Sequence, residues 1–258
     1  MRVSYLLGGL TVLGLTALAT WALAMDRGAL WQVVRACVAD KNLTGSPLPC
    51  LQVDLTGGAE RGYVVLREPV SRDTILAPTR KVTGVEDPFL YSRDAPNYFE
   101  AAWRARSFLT GPNGEPVDRE RIALAVNSGV VRTQDQLHIH IGCLRPVPAA
   151  AARAVAPQLP LGEWSHVGPL IPHSVFWAMR IRESDLAALQ PFALAADQFA
   201  DRARRLDDIM VAVVPARVDG EEDLLILASY AYAPHAWWPV GSDNLLDASC
   251  SAETELPG

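Results

Sequence analysis

The chain has no basic surplus: 23 Lys and Arg stand against 29 Asp and Glu, for a formal net charge of −6. A general nucleic-acid binder shows the opposite balance, so no nucleic-acid partner is expected. An acidic protein can still hold a nucleotide in a locally basic pocket. Cysteine is scarce, four residues in 258, and no Cys-x-x-Cys pair occurs. The commonest zinc spacing is therefore missing, and neither a metal nor another cofactor is expected. There is no internal repeat, and low complexity is confined to the Ala/Pro-rich stretch near 147–160. Histidine is equally rare, five in all, yet two of the five stand at 138 and 140.

One absence is local. Between Arg2 and Asp26 there is no charged residue, only VSYLLGGLTVLGLTALATWALA and Met25. Roughly 20 apolar residues at 1.5 Å each span a bilayer core as a helix. With Arg2 on its N-terminal side, the run orients the remainder away from the cytoplasm. It exceeds the roughly 7–15 apolar residues of a cleaved signal peptide, which favours a retained signal anchor. Ala22-Leu23-Ala24 has the small-x-small form of a cleavage site, and that alternative stays open. The expected organisation is an anchor over 1–25 and an exported domain over 26–258. It sits on a single pass in the inner membrane, with the domain on the extracytoplasmic side. Four cysteines in an exported chain suggest two disulfides. Cys37 and Cys50 flank the turn-rich KNLTGSPLP and are paired here, leaving Cys143 with Cys250. The other two connectivities remain possible.

The domain has enough apolar residues, half of the chain, for a sizeable core. Leu30, Val33, Val34 and Cys37 recur at helical spacing and predict a helix over 27–40. GYVVL and TILAP lie in paired strands over 61–68 and 73–79, followed by a loop in KVTGVEDP. A helix opens in PNYFEAAWRARSFLT, with Asn97 as N-cap and Glu100 three residues on. Tyr98, Ala101, Ala102, Ala105, Phe108 and Leu109 form its inner stripe. Strands over 121–128 and 136–144, joined through GVVRTQD, predict an antiparallel hairpin. A helix capped by Ser184 is predicted over 184–206, with a break before Pro191. IMVAVVPARV and DLLILASYAY are strands joined at Asp219-Gly220. The fold class is α+β, an antiparallel sheet with flanking helices.

The stretch QLHIHIGCLRP carries the chemistry. On a strand, Gln136, His138, His140 and Gly142 share one face, while Leu137, Ile139, Ile141 and Cys143 face the core. Gly142 leaves space for a bulky neighbour. Two imidazoles on one strand can serve as a nucleophile and its support, because neutral imidazole attacks phosphorus and titrates near neutrality. Asn127 at the end of the neighbouring strand, with Ser128 beside it, is a candidate for holding a ribose or phosphate oxygen. Lys81 and Arg145 are candidates for neutralising phosphate. Trp103 reads as core, and His166, His173 and His235 as structural or surface residues. The tryptophans of FW (176–177) and HAWWPV (235–240) suit either a membrane interface or the core.

LAVNS followed by TQDQLHIHIGCLRP resembles the histidine-triad superfamily. Together with the N-terminal apolar run, GYVVL, APTRKVTGVEDP and PNYFEAAWRARSFL, it resembles one membrane-anchored branch, the CDP-diacylglycerol pyrophosphatases. The resemblance implies a histidine-triad-like fold and nucleotidyl transfer to water. The middle histidine of His-x-His-x-His attacks the α-phosphorus, and the nucleotidyl-histidine is then hydrolysed. CDP-diacylglycerol would give CMP and phosphatidate at the lipid bilayer, without a metal. Only two of the three positions are histidine here. Either Gln136, His138 and His140 fill the pattern and His138 attacks, or His138, His140 and Gly142 do and His140 attacks. The first is favoured, because glutamine can still hydrogen-bond a phosphate oxygen or leaving group and glycine cannot.

Overall fold

The computed structural model describes residues 26–68, 73–200, 205–232 and 238–251. The expected anchor, His235 and Trp237 lie outside them. No helix among the described residues is long and apolar enough to cross a membrane.

The described strands are β1 (Gln52–Asp54), β2 (Tyr63–Arg67), β3 (Thr74–Pro78), β4 (Ile122–Val126), β5 (Ile139–Leu144), β6 (Trp164–Gly168), β7 (Phe176–Arg182), β8 (Ile209–Val218), β9 (Glu221–Tyr230) and β10 (Leu246–Asp247). They form one antiparallel sheet in the order β1-β2-β3-β5-β4-β8-β9-β7-β6. β10 also pairs with β5, Leu246 opposite Leu144. The α-helices are α1 (Ala29–Thr44), α2 (Tyr98–Arg104), α3 (Pro146–Val155) and α4 (Pro191–Phe199). The α+β architecture is as expected from the strand and helix periodicities.

Both sheet faces are covered. On one, α2 and α4 pack with Leu137, Ile139, Ile141 and Cys143, so the apolar half of the QLHIHIGC stretch enters the largest core cluster. On the other, α1 covers Val64, Leu66, Ile75 and Ala77. On that same face α3 belongs to a separate cluster with Ala123, Ala125, Met210, Ala212 and Val214. His140 lies opposite Ile75 on one side and Ala125 on the other, and cross-strand partners share a face. His140 therefore stands on the seam between these two apolar clusters.

Local chemistry explains where elements begin and end. Gly45 closes α1 in the left-handed region (φ 80°), its N–H donating to the Lys41 carbonyl. The Asn97 side chain accepts from the Glu100 N–H at 3.0 Å, as an N-cap does, while Glu100 itself pairs with Arg104. Asp219 (φ 53°) and Gly220 (φ 83°) form the two-residue turn between β8 and β9. Cys37–Cys50 and Cys143–Cys250 are both bridged, in the expected pairing.

Three expectations need correction. The helix expected over 184–206 is a 3-10 segment (Glu183–Ala188) followed by α4. Gln190 (φ −121°, ψ 89°) lies outside the helical region, which Pro191 disfavours for the residue before it, and Ser184 lies inside the 3-10 segment without capping it. β4 and β5 pair antiparallel as expected, but the link is longer than GVVRTQD, because 127–138 forms a loop. Arg132 ties this loop to Glu86 and Asp135 ties it to Arg27. Finally, β5 starts at Ile139, three residues later than expected. Its neighbour β3 ends at Pro78, whose ring removes an N–H from the ladder.

Candidate active site

Gln136 takes over where the ladder stops. Its buried amide donates to the carbonyls of Pro78 and Arg80, at 3.0 Å each, and accepts from the Val82 N–H at 3.3 Å. The Leu137 N–H donates to the Val82 carbonyl. The side chain is thus committed to the backbone of 78–82 and stitches the His-bearing stretch to the end of β3.

His138 follows, 6% exposed. Its Nδ1 lies 2.8 Å from the Gln136 carbonyl oxygen. A carbonyl oxygen only accepts, so Nδ1 carries the hydrogen and the lone pair sits on Nε2. Burial, reinforced by the charge of His140, pulls the pKa of His138 down to about 3. The ring is neutral throughout the physiological range.

His140 is 7% exposed, its ring centroid 4.9 Å from that of His138. Its pKa moves the other way. Burial lowers it, but the bond to Asp73, with the negative fields of Asp243, Asp73 and Glu68, more than reverses this and leaves the pKa raised. Asp73 Oδ2 lies 3.3 Å from His140 Nδ1, an ion-pair contact rather than a well-directed hydrogen bond. Neither ring nitrogen makes a well-directed hydrogen bond within the described residues. The two adjacent imidazoles are thus shifted in opposite directions, the kind of separation that assigns roles in acid–base sites.

A pocket of about 220 Å³ opens beside His140, lined by Asp73, Ile141, Gly142, Arg145, Asp243, Asn244, Leu246 and Ala248. The segment 241–248 forms one wall. Asn127 Oδ1 accepts from Ser242 Oγ and the Asp243 N–H, at 3.2 and 3.3 Å. Arg145 Nε donates to the Leu246 carbonyl at 2.7 Å, and the Cys143–Cys250 bridge ties the segment's end to β5. At Gly142 the close neighbour is Leu246, which a Cβ would meet at 3.3 Å. The bulky neighbour for which Gly142 leaves room is Leu246 of the chain itself.

Of the residues singled out from sequence, His140 and Arg145 line this pocket; His138 packs against His140, and Asn127 holds the pocket wall through Ser242 and Asp243. Gln136 does not line the pocket; its bonds go to the backbone of 78–82. Ser128 is buried beside Asn127, its hydroxyl making no hydrogen bond. Lys81 is exposed on the loop after β3 and does not line the pocket. Trp103 is core, its indole N–H donating to Glu183 at 2.7 Å. His166 and His173 are exposed, in edge-to-face contact with Trp177 and Trp238. Asp73, Asp243 and Asn244 were missed. Asp73 shares a face with Ile75, the partner of His140, so period-two reading finds it once β3 and β5 are known to pair. Asp243 and Asn244 carry no local signal.

The sequence matches the family model "CDP-diacylglycerol pyrophosphatase" over residues 25–254. It is also similar to a CDP-diacylglycerol pyrophosphatase of Yersinia pestis, 33% identical over 234 residues, covering 89% of this chain and 86% of that protein. A match spanning the sheet, both disulfides and the paired histidines is more than a shared motif: the chain belongs to the CDP-diacylglycerol pyrophosphatase family.

Proposed function

We propose that this protein hydrolyses the pyrophosphate bond of CDP-diacylglycerol to CMP and phosphatidate, through a cytidylyl group carried on His138. Family membership supports the reaction and substrate. One observation carries the mechanism: the Gln136 carbonyl holds His138 as the Nδ1–H tautomer, beside a His140 ring raised in pKa by Asp73.

His138 Nε2 donates its lone pair to the α-phosphorus, and the bond to the bridging oxygen breaks. The His140 proton goes to that departing oxygen, so phosphatidate leaves without building up a further full charge. Neutral His140 then accepts a proton from water as the water oxygen attacks phosphorus, and the phosphorus–nitrogen bond breaks to return the lone pair to His138 Nε2. CMP departs, and the next cycle begins with His138 neutral and His140 charged. Arg145 and the cation on His140 offset phosphate charge in the pocket. In this reading the histidine-triad-like arrangement keeps its nucleophile and one supporting histidine, while the position of Gln136 has become structural. Its bonds to 78–82 support that assignment.

The uncharged run before Asp26 supports a single-pass anchor in the inner membrane, with the domain on the extracytoplasmic face, where a tether raises the local concentration of a lipid substrate. The test is CMP release from CDP-diacylglycerol by detergent-solubilised full-length protein, beside His138→Ala and His140→Ala. Release by the parent and not by His138→Ala supports the assignment. No release by the folded parent leaves a non-catalytic nucleotide- or lipid-binding module of the same fold.

A further inference from the structure

The rim of the sheet at which α1 begins gathers exposed apolar side chains. Gly129 N–H donates to the Asp207 carbonyl, Ala231 N–H to that of Asp208 and Val240 N–H to that of Ala231. These bonds stitch the loop 127–138, the segment before β8 and the segments after β9 into one surface. Each carries an outward apolar group: Val130 (42% exposed), Leu206 (36%), Tyr232 (40%) and Trp238 (55%). The described chain enters at the same place. Asp135 N–H donates to the Arg27 carbonyl at 2.6 Å, Gln134 Nε2 to that of Asp26 at 3.1 Å, and the Arg27 and Asp135 side chains pair at 2.7 Å. Residue 26 is therefore pinned to the loop that bears Val130, directly after the uncharged run.

We propose that this rim is the membrane-contacting surface of the domain, with Val130, Leu206, Tyr232 and Trp238 seated in the interfacial layer of the bilayer. The occupant follows from where the apolar run ends. A run of bilayer-spanning length that stops one residue before Asp26 brings lipid to this rim and to no other part of the domain. Tryptophan and tyrosine are the side chains that favour that layer. Among the described residues the rim offers no unpaired arginine to an anionic head group: Arg27 pairs with Asp135, Arg132 with Glu86 and Arg205 with Asp207. Neutral lipid suffices, and salt does not weaken the contact. Exposed Leu43 and Leu48 lie at or beyond the other end of α1, about 24 Å along a 16-residue helix, and stay in water. His138 closes the loop that bears Val130. The retained anchor is the premise taken from the proposed function.

All four native cysteines are paired, so one introduced thiol labels uniquely. Full-length protein carrying Val130→Cys, Leu206→Cys or Trp238→Cys, and separately Leu43→Cys or Val147→Cys, is labelled with an environment-sensitive fluorophore. It is then reconstituted into phosphatidylcholine vesicles with and without spin-labelled lipid. The expected result is blue-shifted emission quenched by the spin label at 130, 206 and 238, unchanged in high salt, and neither effect at 43 and 147. Quenching at 43 with none at 130 overturns the assignment, as does equal quenching everywhere or nowhere. Blue-shifted but unquenched probes on the rim mean a protein covers it, which also overturns the proposal. No readout depends on hydrolysis, so an inactive protein still decides the matter.

Discussion

Replacing Gln136 with alanine separates a structural role from a catalytic one. The side chain is fully buried and makes three bonds to backbone, to Pro78, Arg80 and Val82. Alanine leaves two carbonyls and one N–H without it. A buried polar group left unsatisfied costs about 1–3 kcal/mol. Water can serve part of this set, because Arg80 is only half-buried, so about 2–4 kcal/mol is expected for the three. In a domain of this size that lowers the unfolding midpoint by roughly 5–15 °C. Catalysis by the molecules that remain folded is expected within about tenfold of the parent, the span of roughly 1.4 kcal/mol. The reason is that the group orienting His138 is the backbone carbonyl of residue 136, which alanine keeps. Gln136→His, which restores the three-histidine pattern, is expected to lose stability as well, since a neutral imidazole has one N–H for two carbonyls. The assay is thermal unfolding by circular dichroism beside CMP release per folded molecule well below the midpoint. An unchanged midpoint with activity abolished would show that the amide acts on substrate, and would refute the reasoning.

His140→Ala is expected to lower kcat/KM by about 10²–10⁴-fold, the usual worth of a general acid, and to recover in part with a substrate whose leaving group needs no proton. For the pH profile of kcat/KM, the neutral form of His138 persists down to about pH 3 and the cation of His140 outlasts an ordinary imidazole. The acid limb therefore lies well below 6.5, and the alkaline limb above it. Asp73→Asn removes the nearest anion and moves the alkaline limb to lower pH, because the folded-state pKa of His140 falls. Asp243 and Glu68 still favour the cation, while burial and Arg145 in the pocket oppose it. At mildly alkaline pH the loss is about tenfold to a hundredfold, the usual effect of removing one opposite charge at ion-pair distance. An unmoved limb means Asp73 does not govern that proton. Cys143→Ser with Cys250→Ser opens a crosslink between residues 107 apart. It is expected to cost about 2–5 kcal/mol of stability, read by denaturant unfolding, and to raise KM by loosening the wall formed by 241–248.

What could be read in advance follows from the range of each interaction. Period-two alternation placed Leu137, Ile139, Ile141 and Cys143 in the core and the histidines opposite, because a strand has only two faces. The Asn97 cap, the Asp219-Gly220 turn and the Pro191 break were equally legible, each being set by residues within a few positions. The long loop 127–138 was not, because Arg132 and Asp135 answer to Glu86 and Arg27, far away in sequence. The same holds for the site. The bond from His138 to the carbonyl two residues back is local, but Asp73 reaches His140 through the pairing of β3 with β5. Asp243 and Asn244 arrive only because Asn127, Arg145 and a disulfide fold the end of the described chain back over β5. Gln136 was visible as a departure from the histidine pattern, but its backbone partners at 78–82 were not.

The central claim is that His138 Nε2 bonds to the substrate's phosphorus. The direct measurement is rapid alkaline quenching of the working enzyme with CDP-diacylglycerol labelled at the α-phosphorus, followed by peptide mass spectrometry. The account predicts a cytidylyl group on His138 in the parent, accumulating when water attack is slowed, and none in His138→Ala. Label on His140, or turnover with no adduct on either ring, would contradict it.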